Sequence, residues 1–270
     1  MIDLDAYFAR IGYDGPRAPT LDVLRALHAL HPAAIPFEAI DCLLDRGVDI
    51  SPAAVDAKLI AGRRGGYCFE QNSLFARVLN ALGFQVTGHA ARVRWNMAEG
   101  APAQPRTHQV LKVEVEGEPW LADVGFGGCV LTAPLRMIAG QEHVTPHDTY
   151  RLWPIGEEIR LQVLRNGDWV PAYDLSLTPC EPRDYEMANW FTSTHPTSHF
   201  RANLLAGRTT QEARYGLLFN RLTTRPVGAE PIVERLDADG IETALRDTFD
   251  LPVEPSWRPF IERAAKGAPA

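Results

Sequence analysis

The chain has 270 residues, 46% of them hydrophobic, which suffices to bury one large core or several small packed subdomains. Its formal net charge of -7 argues against the broad basic face that a nucleic-acid backbone requires, and any anionic ligand must find local positive charge or backbone N–H groups. No apolar run approaches bilayer length, and the N-terminus Met1-Ile2-Asp3-Leu4-Asp5 is acidic where a signal peptide is basic, so a cytoplasmic protein without a membrane partner is expected. The cysteines, Cys42, Cys68, Cys129 and Cys180, show no paired or CxxC spacing, which argues against a disulfide framework and a structural zinc site.

Residues 4–83 read as helical. Thr20 is placed to cap a helix with Leu21, Leu24, Leu27 and His31 on one side, and Ser51-Pro52 starts another with proline at the first helical position. Across residues 69–82 the apolar side chains recur at Leu74, Phe75, Val78, Leu79 and Leu82, an amphipathic helix that Gly83 ends. Cys68 therefore falls in a first helical turn, where unpaired N–H groups and the positive end of the macrodipole favour thiolate over thiol. Gly65 and Gly66 before it let the backbone turn sharply and approach a substrate with no Cβ in the way. A lone cysteine is more often a small buried hydrophobe. The surroundings of Cys68 argue for chemistry instead.

Residues 84 to 190 switch to short alternating runs, as at 84–95, 110–115 and 161–163, which read as antiparallel β-structure. Glu116-Gly117 is a turn signal between 110–115 and a second strand at 119–124. A two-residue loop pairs 115 with 118 and sets His108 diagonal to Asp123 on one face of the ladder; a three-residue loop sets them on opposite faces. Asp123, after Trp120-Leu121-Ala122, lies in an otherwise apolar strand where an ionised carboxylate needs a partner, and an imidazole is such a partner. The remainder holds a strand-like stretch at 217–223, a helix at 240–249 and a tail rich in proline and alanine. No internal repeat and no low-complexity linker is present.

Cys68, His108 and Asp123 supply a thiol, an imidazole and a carboxylate, the roles of a nucleophile, its base and the group that orients the base. The segment Arg64-Gly65-Gly66-Tyr67-Cys68-Phe69-Glu70-Gln71-Asn72, the pair Thr107-His108 and the run Trp120-Leu121-Ala122-Asp123-Val124-Gly125-Phe126-Gly127 resemble the signature segments of the arylamine N-acetyltransferases. Ile35-Pro36-Phe37-Glu38 and Asn189-Trp190-Phe191-Thr192-Ser193-Thr194-His195-Pro196 agree with that resemblance, which runs in order over most of the chain.

The resemblance implies an α+β fold with a papain- or transglutaminase-like catalytic core. Its parts would be a helical bundle carrying the nucleophile at 1–83, an antiparallel β-barrel carrying histidine and aspartate at 84–190, and an interdomain segment with an α/β lid at 191–270. It implies an enzyme with no permanently bound cofactor, acetyl-coenzyme A as co-substrate, and arylamines, arylhydrazines or N-hydroxyarylamines as acceptors. The reaction would be ping-pong through an acetyl-Cys68 intermediate. Phe37, Phe126 and Phe200 match cleft-lining aromatic positions, and Val93 and Thr107 are placed similarly. Gly125 and Gly127 flank Phe126, where they would admit the acyl group or pantetheine or else mark a bulge or turn. Glu70 and Asn72 read as groups that cap the helix or support the site; Cys42 and Cys129 read as structural, and His195 and His199 as loop residues. Arg63-Arg64 fits either a phosphate contact or a solvated pair. Amide synthases acting on thioester acyl donors share this triad and fold, and papain-like and transglutaminase-like hydrolases share the nucleophile set. A catalytically silent binding module would be attractive only if a triad member were replaced.

Overall fold

The computed structural model describes residues 2–98 and 100–267. Asp3 caps α1 (Leu4–Ile11) by accepting the Ala6 N–H at 2.9 Å, and Thr20 caps α2 (Leu21–Ala34). Leu24, Leu27 and His31 of α2 are fully buried, the face that the spacing predicts. β1 (Phe37–Glu38) and α3 (Ile40–Leu43) follow. α4 (Pro52–Val55) starts at Ser51-Pro52 and widens into a π-helical turn at Asp56–Ala61. α5 (Cys68–Ala81) has the cysteine as its first residue, and Gly83 beyond it takes a left-handed φ of 91°.

Eight strands build a nearly closed antiparallel barrel sheet: β2 (Gln85–Val93), β3 (His108–Val115), β4 (Glu118–Ala122), β5 (Leu135–Arg136), β6 (Glu142–Val144), β7 (Thr149–Ile155), β8 (Glu158–Arg165) and β9 (Asp168–Pro179). Their order is β5-β4-β3-β2-β9-β8-β7-β6. Val115 pairs with Glu118, so the β3–β4 loop is the two-residue one. Glu116 and Gly117 have φ of 55° and 79°, and Asn166 and Gly167 between β8 and β9 have 52° and 89°. Positive φ at both central residues is the I′ geometry whose twist matches the flanking strands.

Two segments depart from the sequence reading. Pro182–Thr194 is a helix, α6, where alternating runs were expected up to residue 190; Pro182 at its first turn, with Asp184 accepting the Glu181 N–H at 2.8 Å, is the start signal. The stretch 217–223 is two strands rather than one. Leu218 pairs with Arg221, and Phe219 takes a φ of 53°, so an apolar residue occupies a turn position and masks the break. These strands belong to a second antiparallel sheet, β1-β10-β11-β12-β13, with β10 (Leu205–Thr209), β11 (Ala213–Leu218), β12 (Arg221–Pro226) and β13 (Ile232–Arg235). One of its edges is β1, from the N-terminal part of the chain: Phe37 pairs with Gly207 and Glu38 with Ala206. α7 (Ala238–Thr243), continuing as a π-helical turn over Ala244–Thr248, and α8 (Arg258–Ala265) pack on this sheet around buried Trp257. The tail at residues 268–270 lies outside the described residues.

One apolar cluster joins α1, α2 and α5 to Leu111, Val113, Val115 and Ala122 of β3 and β4, so the helices and the barrel share a core. A second fills the barrel around Tyr150, Leu161 and Tyr173. A third, smaller cluster holds Tyr67, Cys68, Phe69 and Tyr185, with Phe37 and Phe200 against it. No helix among the described residues is long and apolar enough to cross a membrane.

Candidate active site

The chain before Cys68 is fastened to β1. Glu38 N–H donates to the Gly66 carbonyl at 3.1 Å, and Gly66 N–H donates to the Pro36 carbonyl at 3.2 Å. A Cβ on Gly65 would stand 2.2 Å from the Pro36 carbonyl oxygen, so glycine is required by the protein's own backbone. Approach to a substrate, the reason read from the sequence, does not have to be invoked. Arg64 and Arg63 divide instead of acting as a pair. Arg64 is buried, donating to Glu38 Oε1 at 2.9 and 2.7 Å and lying 5.0 Å from the Trp257 ring centroid, whereas exposed Arg63 reaches Asp250 at 3.1 Å. Glu70 accepts the Tyr67 N–H at 3.1 Å and pairs with Lys58 at 2.7 Å, capping α5 as expected.

At the start of α5 the Cys68 thiol, the His108 imidazole and the Asp123 carboxylate come together. Cys68 is 4% exposed, His108 3% and Asp123 0%. His108 Nε2 lies 2.7 Å from Asp123 Oδ2, and Cys68 Sγ lies 3.6 Å from the Thr107 carbonyl oxygen, beside the imidazole. Burial disfavours an imidazolium at His108, but the Asp123 carboxylate, its hydrogen bond and Cys68 outweigh it and hold the pKa at about 10. For Asp123, burial works against the charged form, while His108, Asn72 and the Gly125 N–H hold its carboxyl below the usual range. Both shifts favour an ionised pair.

Asp123 stands one residue beyond β4 and is held from several sides. Its Oδ1 accepts from Asn72 Nδ2 and from the Gly125 N–H, each at 3.0 Å, and its own N–H donates to His28 Nε2 at 3.1 Å. Asn72 also donates to the Gln109 carbonyl at 2.7 Å and accepts the Val124 N–H at 3.0 Å. A Cβ on Gly125 would come within 2.8 Å of Cys68 Cα. A thiol, an imidazole and a buried carboxylate in this arrangement can carry out nucleophilic acyl transfer.

A family model described as N-acetyltransferase matches residues 20–258. An arylamine N-acetyltransferase of Mycolicibacterium smegmatis is 43% identical over 253 residues, covering 93% of this chain and 92% of that one. The chain belongs to the arylamine N-acetyltransferase family. A Salmonella typhimurium member, named arylamine N-acetyltransferase and N-hydroxyarylamine O-acetyltransferase, is 44% identical over 205 residues, which is 76% of this chain and 72% of that one. The solved structure of the Mycobacterium marinum arylamine N-acetyltransferase in complex with CoA superposes with a TM-score of 0.91 at 39% identity, covering 97% of this chain and 98% of that one.

The positions that the family resemblance singles out surround the triad unevenly. Phe126 lies edge-on to His108 with centroids 4.9 Å apart, and both rings touch Tyr173, at 5.1 and 5.0 Å. Phe37 and Phe200, 6.1 Å apart, lie on the Cys68 side, where the Phe37 ring would stand 3.4 Å from a Cβ on Gly127. Val93 pairs with Tyr173 across β2 and β9, and Thr107 faces Cys68 with its carbonyl. Phe37, Phe126, Phe200, Val93 and Thr107 are half-buried, whereas Gly125 and Gly127 are buried. A cavity of about 10 Å³ lined by Phe37, Val124 and Gly127 lies nearby. Another cavity, of about 330 Å³, is lined by none of these residues and by others that include Arg25, Trp120 and Arg136.

Cys42 and Cys129 are buried thiols pushed up by burial, Cys42 to about 12, and neither is hydrogen-bonded to an imidazole. All four cysteines are free, and no three His, Cys, Asp or Glu among the described residues are grouped to hold a metal ion. His195 ends α6 stacked on Phe191 at 4.6 Å. Sequence reasoning missed His28 and Tyr173. Only the polar side chain of His28 beside the apolar stripe of α2 hinted at the first, and Tyr173 reads as an ordinary strand aromatic.

Proposed function

We infer that the protein transfers an acetyl group from acetyl-coenzyme A to arylamines, arylhydrazines or N-hydroxyarylamines, with Cys68 as nucleophile, His108 as acid and base, and Asp123 as the group that orients His108. The observation that carries this reading is the 2.7 Å His108–Asp123 contact, buried beside a thiol at a helix start. The names of the family relatives support arylamines and N-hydroxyarylamines as acceptors, and the CoA complex of the Mycobacterium marinum enzyme supports the donor.

In the first half-reaction the Cys68 sulfur attacks the thioester carbonyl, the C–S bond to coenzyme A breaks, and His108 gives its proton to the departing thiolate. The exchange is one thioester for another, so it is close to balanced. In the second half the amine attacks acetyl-Cys68 while His108 takes the amine proton, and Cys68 leaves as thiolate. Asp123 offsets the charge whenever His108 is an imidazolium, and orients the ring when it is neutral. Between the halves water must be kept from the acyl-enzyme, and the packing of Phe126 and Tyr173 against His108 suits that need. Phe37, Phe126 and Phe200 offer flat apolar faces to an aromatic acceptor.

The test is to give the protein acetyl-coenzyme A alone. One acetyl group should appear on the peptide containing Cys68 with release of free coenzyme A, and double-reciprocal plots with an arylamine should be parallel. Acetylation at Cys129, or intersecting lines, would overturn the assignment.

A further inference from the structure

We propose that His28 is a positioning residue for acyl transfer, accepting the backbone N–H of Asp123 so that the carboxylate stays in reach of His108, a role that presupposes the triad assigned above. Asp123 lies just past Ala122, the last residue of β4 paired with β3, and its N–H goes to His28 Nε2 on α2 at 3.1 Å. Both residues are fully buried. The other two anchors of Asp123 grip its carboxylate: Asn72 and the Gly125 N–H both hold Oδ1. His28 instead holds the main chain at the Asp123 N–H, as Asn72 does at the next N–H, that of Val124, so the direction from which the side chain leaves is fixed on the near side by His28.

The imidazole is poorly explained as packing. If Nε2 accepts, the ring proton sits on Nδ1, and that atom is buried with no hydrogen-bond partner among the described residues. The ring lies edge-on to Phe75 of α5, 5.8 Å away, and Leu24 and Leu27 are its helical neighbours. An aliphatic side chain in this layer would bury no orphaned donor. The half of the ring that is satisfied is the half that meets Asp123.

The acceptor must also stay uncharged. The titratable groups that act on it are Asp123 from the segment after β4 and His31 from its own helix; the Phe75 face is apolar. A cation at this point would lose the lone pair that accepts the N–H and would compete with His108 for the carboxylate. Burial, only partly offset by Asp123, lowers the His28 pKa to about 4 and keeps it neutral.

The experiment compares His28→Leu, His28→Gln and His28→Asn in the full chain, following acetyl transfer, thermal unfolding and the titration of His108 by NMR. His28→Leu should unfold cooperatively, lose about tenfold or more in kcat/KM, and show the His108 pKa shifted down from about 10. His28→Gln, whose Oε1 reaches the same N–H, should restore most of the rate and the titration, and the shorter His28→Asn should not. If His28→Leu does not fold, the Gln and Asn pair decides the matter. Wild-type transfer and an unchanged His108 titration in His28→Leu or His28→Asn would overturn the proposal, as would equal losses in Gln and Asn. His108→Gln is the control: its full activity would bring down the triad, whereas its inactivity beside an unaffected His28→Leu would remove only the role of His28.

Discussion

Asn72 and Asp123 meet at 3.0 Å where α5 crosses the end of β4, so the helix that starts with Cys68 also holds the carboxylate that pairs with His108. Asn72 lies one helical turn after Cys68, and its amide additionally bonds the Gln109 carbonyl and the Val124 N–H. One side chain thus ties the helix that carries Cys68 to Asp123, to Val124 and to Gln109 beside His108.

Asn72→Ala should therefore damage catalysis more than its remoteness from substrate suggests. Leaving the Val124 N–H and the Gln109 carbonyl buried without this partner costs about 1 to 3 kcal/mol each, and misplacing Asp123 lowers kcat by about ten- to a hundredfold. Thermal unfolding and steady-state acetylation of an arylamine measure the two effects. Wild-type kcat in a folded variant would show that Asn72 does not set the triad.

His108→Gln removes the base while keeping a neutral side chain of similar reach. Alkylation of Cys68 by iodoacetamide should slow markedly in this variant relative to the wild type. Asp123→Asn should slow transfer by misorienting the imidazole, although nucleophile and base both remain. Identical pH profiles of alkylation in wild type and His108→Gln would show that the thiol and the imidazole do not act as a pair.

Gly125→Ala tests the closeness of the seam. Its Cβ would stand 2.8 Å from Cys68 Cα and 2.9 Å from Asn72 Nδ2, and the first of these is backbone that cannot swing away. The expected result is a loss of about 1 to 3 kcal/mol in stability from overpacking together with a large drop in acetyl-Cys68 formation. Gly128→Ala, at a position with nothing within 4 Å, is the comparison and should be close to neutral.

The buried histidines set a limit at low pH. Burial lowers His28 to about 4 and His31 to about 3, so each is neutral in the fold and takes up a proton more readily when unfolded. The stability they allow is complete above about 6.5, the unfolded value. It is lost as pH falls toward 4 and 3, with a slope of about 1.4 kcal/mol per pH unit for each group. Urea unfolding from pH 7 to pH 4 should show the decline, and His31→Gln should flatten it. The His108–Asp123 pair runs the other way at its upper end: the imidazolium's contribution is full below about 6.5 and fades as pH rises toward 10.

The helical first third was legible because its signals are local. Thr20 and Ser51-Pro52 mark real helix starts, and the apolar spacing from Leu74 to Leu82 gives α5 its buried face. The Glu116-Gly117 turn was visible too, but its length was not. The Pro182–Thr194 helix and the break at Phe219 were missed because one has a weak apolar stripe and the other puts an aromatic residue where a turn residue was expected.

By itself the sequence determined which chemical groups are present and that Cys68 opens a helix, since capping and periodicity act over a few residues. Only the tertiary structure decided how those groups meet. A side chain's neighbours across a strand depend on register, and the two-residue loop at Glu116-Gly117 is what puts His108 and Asp123 on one face. The union of β1 with β10, the burial of Arg64 against Glu38 and the bond from His28 to Asp123 join residues far apart in the chain. Such contacts form because burying a polar group without a partner is costly, and which partner is near is a property of the packed fold.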